Sequence, residues 1–176
     1  MKFKRFKFKN VKSTNNTAVR IIKNSNIEYG MVISETQKNG RGQYGKKWIS
    51  YKGNLFVSFF FKLENLNISL KKLTKINCLL VKKLLSIYYK KKIIFKKPND
   101  LMINKKKICG ILQETLSKLD KTFLIVGIGI NLVKNPNIND YPTTNLFSLM
   151  KKKILKKEIE NHLEKIFELN LTKLYK

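Results

Sequence analysis

One histidine, two cysteines and three prolines in 176 residues exclude several kinds of chemistry at once. His162 stands among Glu160, Asn161 and Glu164 in an amphipathic stretch. That makes it a surface or half-buried helix residue and leaves a Ser–His–Asp or Cys–His relay without support. Cys78 and Cys109 are too few for a disulfide framework or a four-ligand zinc site, and both lie in apolar stretches as small buried thiols. No HExxH or CxxC spacing occurs, and Gly40-Arg41-Gly42 lacks the Gly-Lys-Ser/Thr ending of a Walker A loop. No apolar run reaches the ~18 residues of a membrane span. The basic N-terminus alternates phenylalanine with charge and so has no continuous apolar segment of a secretory signal. These scarcities predict a cytoplasmic protein with no metal ligand set of its own and no membrane partner.

Acidic residues are also few, 11 against 38 Lys and Arg, for a net charge of +27. Such a charge invites a nucleic-acid partner. The lysines, however, run through every segment beside many Ile and Asn, the pattern that AT-rich codon usage produces. They form no stripe attached to a reading element. The surface is read as solvated, with no specific DNA partner, although its charge can attract acidic proteins. A hydrophobic fraction of 43% in a chain of this length suits one folded domain, residues 1–176, with a genuine core.

Residues 3–9 alternate Phe with Lys or Arg, the period of a short edge strand. Ser13-Thr14-Asn15 precedes Ala18, Val19, Ile21 and Ile22, a helix entry with N-cap residues. Strands are expected at 29–35, 54–63 and 93–96. Residues 101–104 and 107–115 suit a hairpin turning at Asn104-Lys105-Lys106, and 122–132 is apolar on both faces and therefore central. Leu70, Leu73, Ile76, Leu80, Leu84 and Ile87 mark a helix over 69–89. Ile159, Leu163, Ile166, Phe167, Leu169 and Leu174 mark a terminal helix over 156–175. Pro136 and Pro142 bracket a loop. There are no repeats and no linker. The expected class is α+β: a mixed, largely antiparallel sheet flanked by helices.

Three segments carry chemistry. Gly40-Arg41-Gly42-Gln43-Tyr44-Gly45-Lys46-Lys47-Trp48 joins glycines, whose backbone N–H groups can cradle phosphate, to a permanently charged guanidinium and a flat indole. It is too rich in Gly and charge to hold regular structure. Phe95-Lys96-Lys97-Pro98-Asn99-Asp100 places a lysine at a strand end before a rigid proline. Gly127-Ile128-Gly129-Ile130-Asn131 puts glycines in a central strand, where a ligand or another backbone approaches closely.

In this order these pieces resemble the catalytic domain of biotin protein ligases. Gly40–Trp48 is similar to the family's GRGRxxRxW-like loop, Lys96–Asp100 to its KWPND segment and Gly127–Asn131 to its GxGIN strand. Lys107-Ile108-Cys109-Gly110-Ile111-Leu112 is similar to the strand after KWPND. Ser13-Thr14-Asn15 matches its STN entry and Gln37 its biotin-contacting glutamine. Tyr141-Pro142-Thr143-Thr144 is similar to shorter bacterial members. The resemblance covers residues 11–170 and implies the fold shared by biotin ligases and class II aminoacyl-tRNA synthetases.

It also implies ATP-dependent joining of biotin to a lysine of a carboxylase's biotin carrier domain, through biotinyl-5′-AMP, with Mg²⁺ on the triphosphate. Lys96 and Arg41 are then the catalytic cations. Ser13, Thr14, Asn15, Gln37, Gly40, Arg41, Lys96, Gly110 and Gly127 form the biotin side. Arg41, Gly42, Gln43, Trp48, Lys96, Asn99 and Asn131 form the ATP and adenylate side. Lys97 stands where the family has Trp, and Gln43 where many members have a second Arg. The few residues before Ser13 leave no room for a helix-turn-helix, and no small β-barrel is expected after the terminal helix. Edge strands allow either a monomer or a homodimer. Lipoate protein ligases and octanoyltransferases share the implied fold and a catalytic lysine, but their ligand loop reads differently. A basic nucleic-acid-binding module leaves the glycine spacing unexplained. A degenerate ligase that only binds biotin is the third alternative.

Overall fold

The structure is a computed structural model describing residues 2–63 and 68–174. One seven-stranded sheet runs in the order β1-β2-β3-β7-β6-β5-β4. Its strands are β1 (Lys4–Val11), β2 (Tyr29–Gln37), β3 (Leu55–Lys62), β4 (Ile94–Lys96), β5 (Asp100–Ile103), β6 (Lys106–Lys118) and β7 (Lys121–Ile130). The β1–β2 pair is parallel and the other pairs are antiparallel, as the expected mixed sheet requires. Helices α1 (Thr14–Asn24), α2 (Leu70–Tyr88), α3 (Leu146–Met150) and α4 (Lys156–Leu174) complete the chain.

The run LFVSFFFK in β3 shows no alternation because both faces of the sheet are covered. Phe59 and Phe61 enter the larger core with Leu73, Leu84, Leu163 and Phe167 from α2 and α4. Phe59 stacks on Phe167 with ring centroids 4.2 Å apart. Phe60 points the other way, into a smaller core under Ala18 and Ile22 of α1. β7 divides its residues in the same manner. Leu124, Val126, Ile128 and Ile130 belong to the larger core, while Phe123 and Ile125 face α1. The next two positions on that α1 face are Gly127 and Gly129, so the surface drops away just where α1 begins.

Polar contacts fix the periphery. β1 is an edge strand, held to α4 by Arg5 on Glu164 and by Lys7 on Glu160 at 3.2 Å. The ammonium of Lys118 donates to Ile22 O and Ser25 O at the end of α1, where carbonyls lack helical partners. Asn54 is fully buried, and its Oδ1 accepts from the backbone N–H groups of Leu132, Val133 and Lys134 at 3.0, 3.0 and 3.2 Å. Asn54→Ala strands these donors and is expected to destabilise the fold by about 3 kcal/mol, since a buried unsatisfied group costs roughly 1–3 kcal/mol. A urea titration that left the unfolding midpoint unchanged would contradict this.

Several expectations shift. The β5–β6 hairpin turns at Asn104-Lys105 alone, both with positive φ (50° and 60°), as a two-residue primed turn requires, and Lys106 already belongs to β6. Leu70, Ile87 and Leu169 satisfy the helical period yet are 52%, 42% and 61% exposed. They sit at the margins of stripes whose centres the neighbouring residues fill. Helix α3 lies beyond the proline-bracketed loop and had no periodic signal, being only five residues long. Residue 175 and the side chain of Leu174 lie outside the described residues. The loop after β2 is more ordered than its composition suggests. Trp48 N donates to Gly40 O at 2.9 Å, Gly42 N to Lys46 O at 2.6 Å, and residues 43–45 form a 3-10 turn.

Candidate active site

The missing side chains of β6 and β7 make the floor of the site. Gly110 pairs with Gly129 across the two strands, and Gly127 pairs with Leu112 on one side and Ser58 on the other. The indole of Trp48 lies on the Gly110/Gly129 pair. A Cβ at Gly129 would come within 2.4 Å of Trp48 Cε2, and one at Gly110 within 2.7 Å of Cζ3. Asn15 takes the corresponding place over Gly127, where a Cβ would fall 2.3 Å from its Oδ1. The glycines thus seat two protein side chains, and the ligand space of about 270 Å³ lies among them.

Most of the expected residues meet at this cavity. Ser13, Thr14, Asn15 and Gln37 line one end; Arg41, Gly42, Gln43 and Trp48 form the loop wall. Lys96 ends β4, Asn99 lies in the turn after it, and Gly110 and Gly127 belong to the floor. Two expected residues are not brought to it. Gly40 is buried behind the wall, where a Cβ would fall 2.4 Å from Trp48 O. Asn131 is 2% exposed and donates to Thr144 O at 3.1 Å, tying the end of β7 to the segment before α3.

The polar end is a connected network. Gln37 Oε1 accepts from Thr14 N at 2.8 Å and from Thr14 Oγ1 at 3.1 Å, while its Nε2 donates to Ser50 Oγ at 3.2 Å. Ser58, fully buried on β3, lies within hydrogen-bonding distance of Thr14 Oγ1 and Asn15 Oδ1. Asn15 Nδ2 donates to Leu112 O and, at 2.6 Å, to Glu114 Oε2. Ser13 holds the N-cap position of α1, yet its hydroxyl makes no cap hydrogen bond; it is buried and lines the cavity. A hydroxyl released from capping is a donor and acceptor available to a ligand.

Charge is lopsided. Among the described residues, Arg41, Lys46, Lys47, Lys96, Lys97 and Lys107 line the cavity against one carboxylate, Asp100. Asp100 is engaged by Lys107 at 2.8 Å, and the same ammonium lies 5.5 Å from the Trp48 ring and 5.1 Å from that of Tyr141. Arg41 donates to both oxygens of Glu114, at 2.9 and 2.7 Å. Ser58, Lys107 and Glu114 did not emerge as site residues from the sequence. A lone serine in a phenylalanine-rich strand and two charges flanking an apolar run were the only signals. Lys96 and Lys97 remain exposed at the mouth.

Neither the cysteines nor the histidine is placed as a nucleophile. Burial pushes the Cys78 thiol up to about 12 and that of Cys109 well above its ordinary value, so both stay protonated within the larger core. His162 is half-buried with its Nδ1 2.7 Å from Tyr88 Oη, between α2 and α4. Among the described residues there is no cluster of three His, Cys, Asp or Glu able to hold a metal, and no helix long and apolar enough to cross a membrane. A cationic cavity with hydrogen-bonding groups at one end and an indole at the other is built to hold and orient an anion.

Comparison with known proteins agrees. The model of the biotin/lipoate A/B protein ligase family matches residues 7–131, and the chain belongs to that family. Its fold is similar to that of a biotin protein ligase from Aquifex aeolicus in complex with biotin and ATP. The TM-score is 0.80 at 32% identity, covering 97% of this chain and 71% of that one. The bifunctional ligase/repressor BirA of Bacillus subtilis is 33% identical over 135 residues, 74% of this chain and 40% of its own length. The BirA of Escherichia coli is 34% identical over 102 residues, 57% of this chain. The chain spans less than half the length of these two curated relatives.

Proposed function

We propose that the chain activates biotin with ATP and passes it to a lysine of a biotin carrier domain. The observation that carries this reading is one cavity lined both by neutral hydrogen-bonding side chains and by a cluster of cations. Ser13, whose hydroxyl makes no cap hydrogen bond, stands beside Thr14, Asn15 and Gln37, groups of the kind that a ureido ring hydrogen-bonds. Arg41, Lys96 and Lys107 supply the positive charge that two anions need before they will meet.

A carboxylate oxygen of biotin attacks the α-phosphorus of ATP, the α–β phosphoanhydride bond breaks, and pyrophosphate leaves. The acceptor's neutral lysine amine then attacks the acyl carbon; the acyl–oxygen bond breaks, AMP departs and the amine loses a proton. Neither step needs an enzyme nucleophile, which agrees with the protonated thiols and the remote histidine. Positioning and fixed charge do the work. Lys96 bridges carboxylate and α-phosphate, Arg41 turns from Glu114 to the phosphate side with the Gly42 amide, and Trp48 and Asn99 border the adenylate. Mg²⁺ would serve as the counter-ion of ATP, since Asp100, the one carboxylate among the described residues of the wall, is already paired with Lys107. A cytoplasmic setting, where ATP is available, is part of this reading.

The test is transfer of labelled biotin to a purified carboxylase carrier domain in the presence of Mg-ATP, with lipoate as the competing acid. Labelling by biotin is expected. An adenylate formed from lipoate alone would replace the assignment with the other branch of the family.

Gln43 lines the adenylate side with a neutral group. Gln43→Arg adds a charge-assisted contact to phosphate and is expected to slow escape of biotinyl-AMP about tenfold, lowering stray labelling of bystander lysines. Equal release rates in the two proteins would remove Gln43 from adenylate retention.

A further inference from the structure

A second concavity adjoins the first. It measures about 580 Å³ and lies between the first turns of α2, the Lys97-Pro98 corner and the middle of β6. Gln43, Lys97 and Pro98 line both spaces, so they form a shared wall. The groove joins apolar surface to cations. Leu70 is 52% exposed and Phe95 half-buried, beside the exposed Lys71, Lys72, Lys75 and Lys97. Its one carboxylate among the described residues, Glu114, is taken by Arg41 and Asn15. None of the four lysines pairs with a carboxylate among the described residues.

We propose that this groove docks the acceptor protein, receiving a carboxylate-bearing surface next to the target lysine; the proposal rests on the ligase reading above. The second half-reaction requires a macromolecular amine to reach the adenylate, and a protein seated here is separated from the cavity by a single wall. The mixed lining decides the kind of occupant. Exposed leucine and half-buried phenylalanine favour a folded protein surface with both apolar and acidic side chains, whereas a polyphosphate gains nothing from them.

The groove is also preformed. Gln113 of β6 donates to Leu70 O at 3.1 Å and accepts from Asn77 Nδ2 at 2.8 Å, fixing α2 to the sheet. Ser69 caps the helix by accepting from Lys72 N. Lys71, Lys72 and Lys75 therefore stand at fixed helical spacing on a rigid element, which lowers the ordering cost of binding.

The whole chain is basic, so the test must separate this groove from general attraction. Lys71→Glu/Lys72→Glu/Lys75→Glu is compared with Lys90→Glu/Lys91→Glu/Lys92→Glu, an equal change of charge on exposed residues past the far end of α2. Biotin- and ATP-dependent pyrophosphate release without acceptor reports folding and the first half-reaction. It is expected to stay within about twofold in both variants, as the altered side chains lie outside the cavity. With a purified carrier domain the groove variant should raise the KM for acceptor about tenfold or more, leaving saturated transfer unchanged, and the distal variant should not. Changing the carrier's own carboxylates to amides should raise KM for the native ligase and leave the groove variant little further to lose.

Equal acceptor KM in the two variants overturns the proposal, and so does a rise confined to the KM for ATP, which would make the groove a phosphate site. Loss of pyrophosphate release in the unaltered protein would instead overturn the ligase reading itself.

Discussion

Lys96→Ala is expected to lower biotinyl-AMP formation about 10²–10³-fold, the range seen when one preorganised charge or donor is removed from a developing anion. The fold should be untouched. Lys96 ends β4, a three-residue edge strand, and its side chain is exposed at the cavity mouth with no hydrogen bond or ion pair in the described structure. Removing a solvated surface chain usually changes stability by less than about 0.5 kcal/mol. On the proposed reading the loss should appear in kcat, since Lys96 would act where two negative charges converge, and much less in biotin affinity, which that reading assigns to the Ser13–Gln37 end. Lys97→Ala is the internal control: it removes the same charge one residue away, on the wall shared with the second groove, and should cost the first half-reaction far less. Pyrophosphate release by Lys96→Ala at a near-native rate would take Lys96 out of the mechanism.

The fold was legible where periodicity was long. The 69–89 helix, the 122–132 strand and the mixed sheet emerged within a few residues, because each buries a face large enough to dictate residue type. The site was legible where residue types are chemically exacting: Lys96, Arg41, Gly110 and Gly127 all line one cavity. What the sequence withheld was partnership across long separations. Arg41 and Glu114 are 73 residues apart and Asn15 and Glu114 are 99 apart, so neither pair has a local signature. Ser58 was hidden for a different reason. In a run of buried aromatics a serine reads as an interruption, whereas here it is the group that holds Thr14 and Asn15 in place. Asn131 shows the converse, since a residue inside a functional motif can serve the scaffold by bracing β7 against the segment that leads to α3.

The glycines of β7 offer the sharpest division of labour. Gly127 and Gly129 are two residues apart on the same face, so an added methyl group points into the same site from either position. Their neighbours differ. At Gly127 the methyl meets Asn15 Oδ1 at 2.3 Å, and Asn15 must leave its hydrogen bonds to Ser58, Leu112 and Glu114. At Gly129 it meets the Trp48 indole at 2.4 Å, and the ring must lift from the floor, away from the Lys107 ammonium. On the proposed reading Gly127→Ala raises the KM for biotin by about 10–100-fold, the equivalent of one or two lost hydrogen bonds at roughly 1.4 kcal/mol per tenfold, with a smaller effect on ATP. Gly129→Ala does the reverse, raising the KM for ATP and largely sparing biotin. Each clash has a built-in check. Asn15→Ala removes what the methyl of Gly127→Ala would strike, so the double variant should be no worse than Asn15→Ala alone, and Trp48→Ala should absorb the effect of Gly129→Ala in the same way. Additive losses in either pair, or two glycine variants with the same KM pattern, would mean that the floor supports the fold without sorting the two substrates.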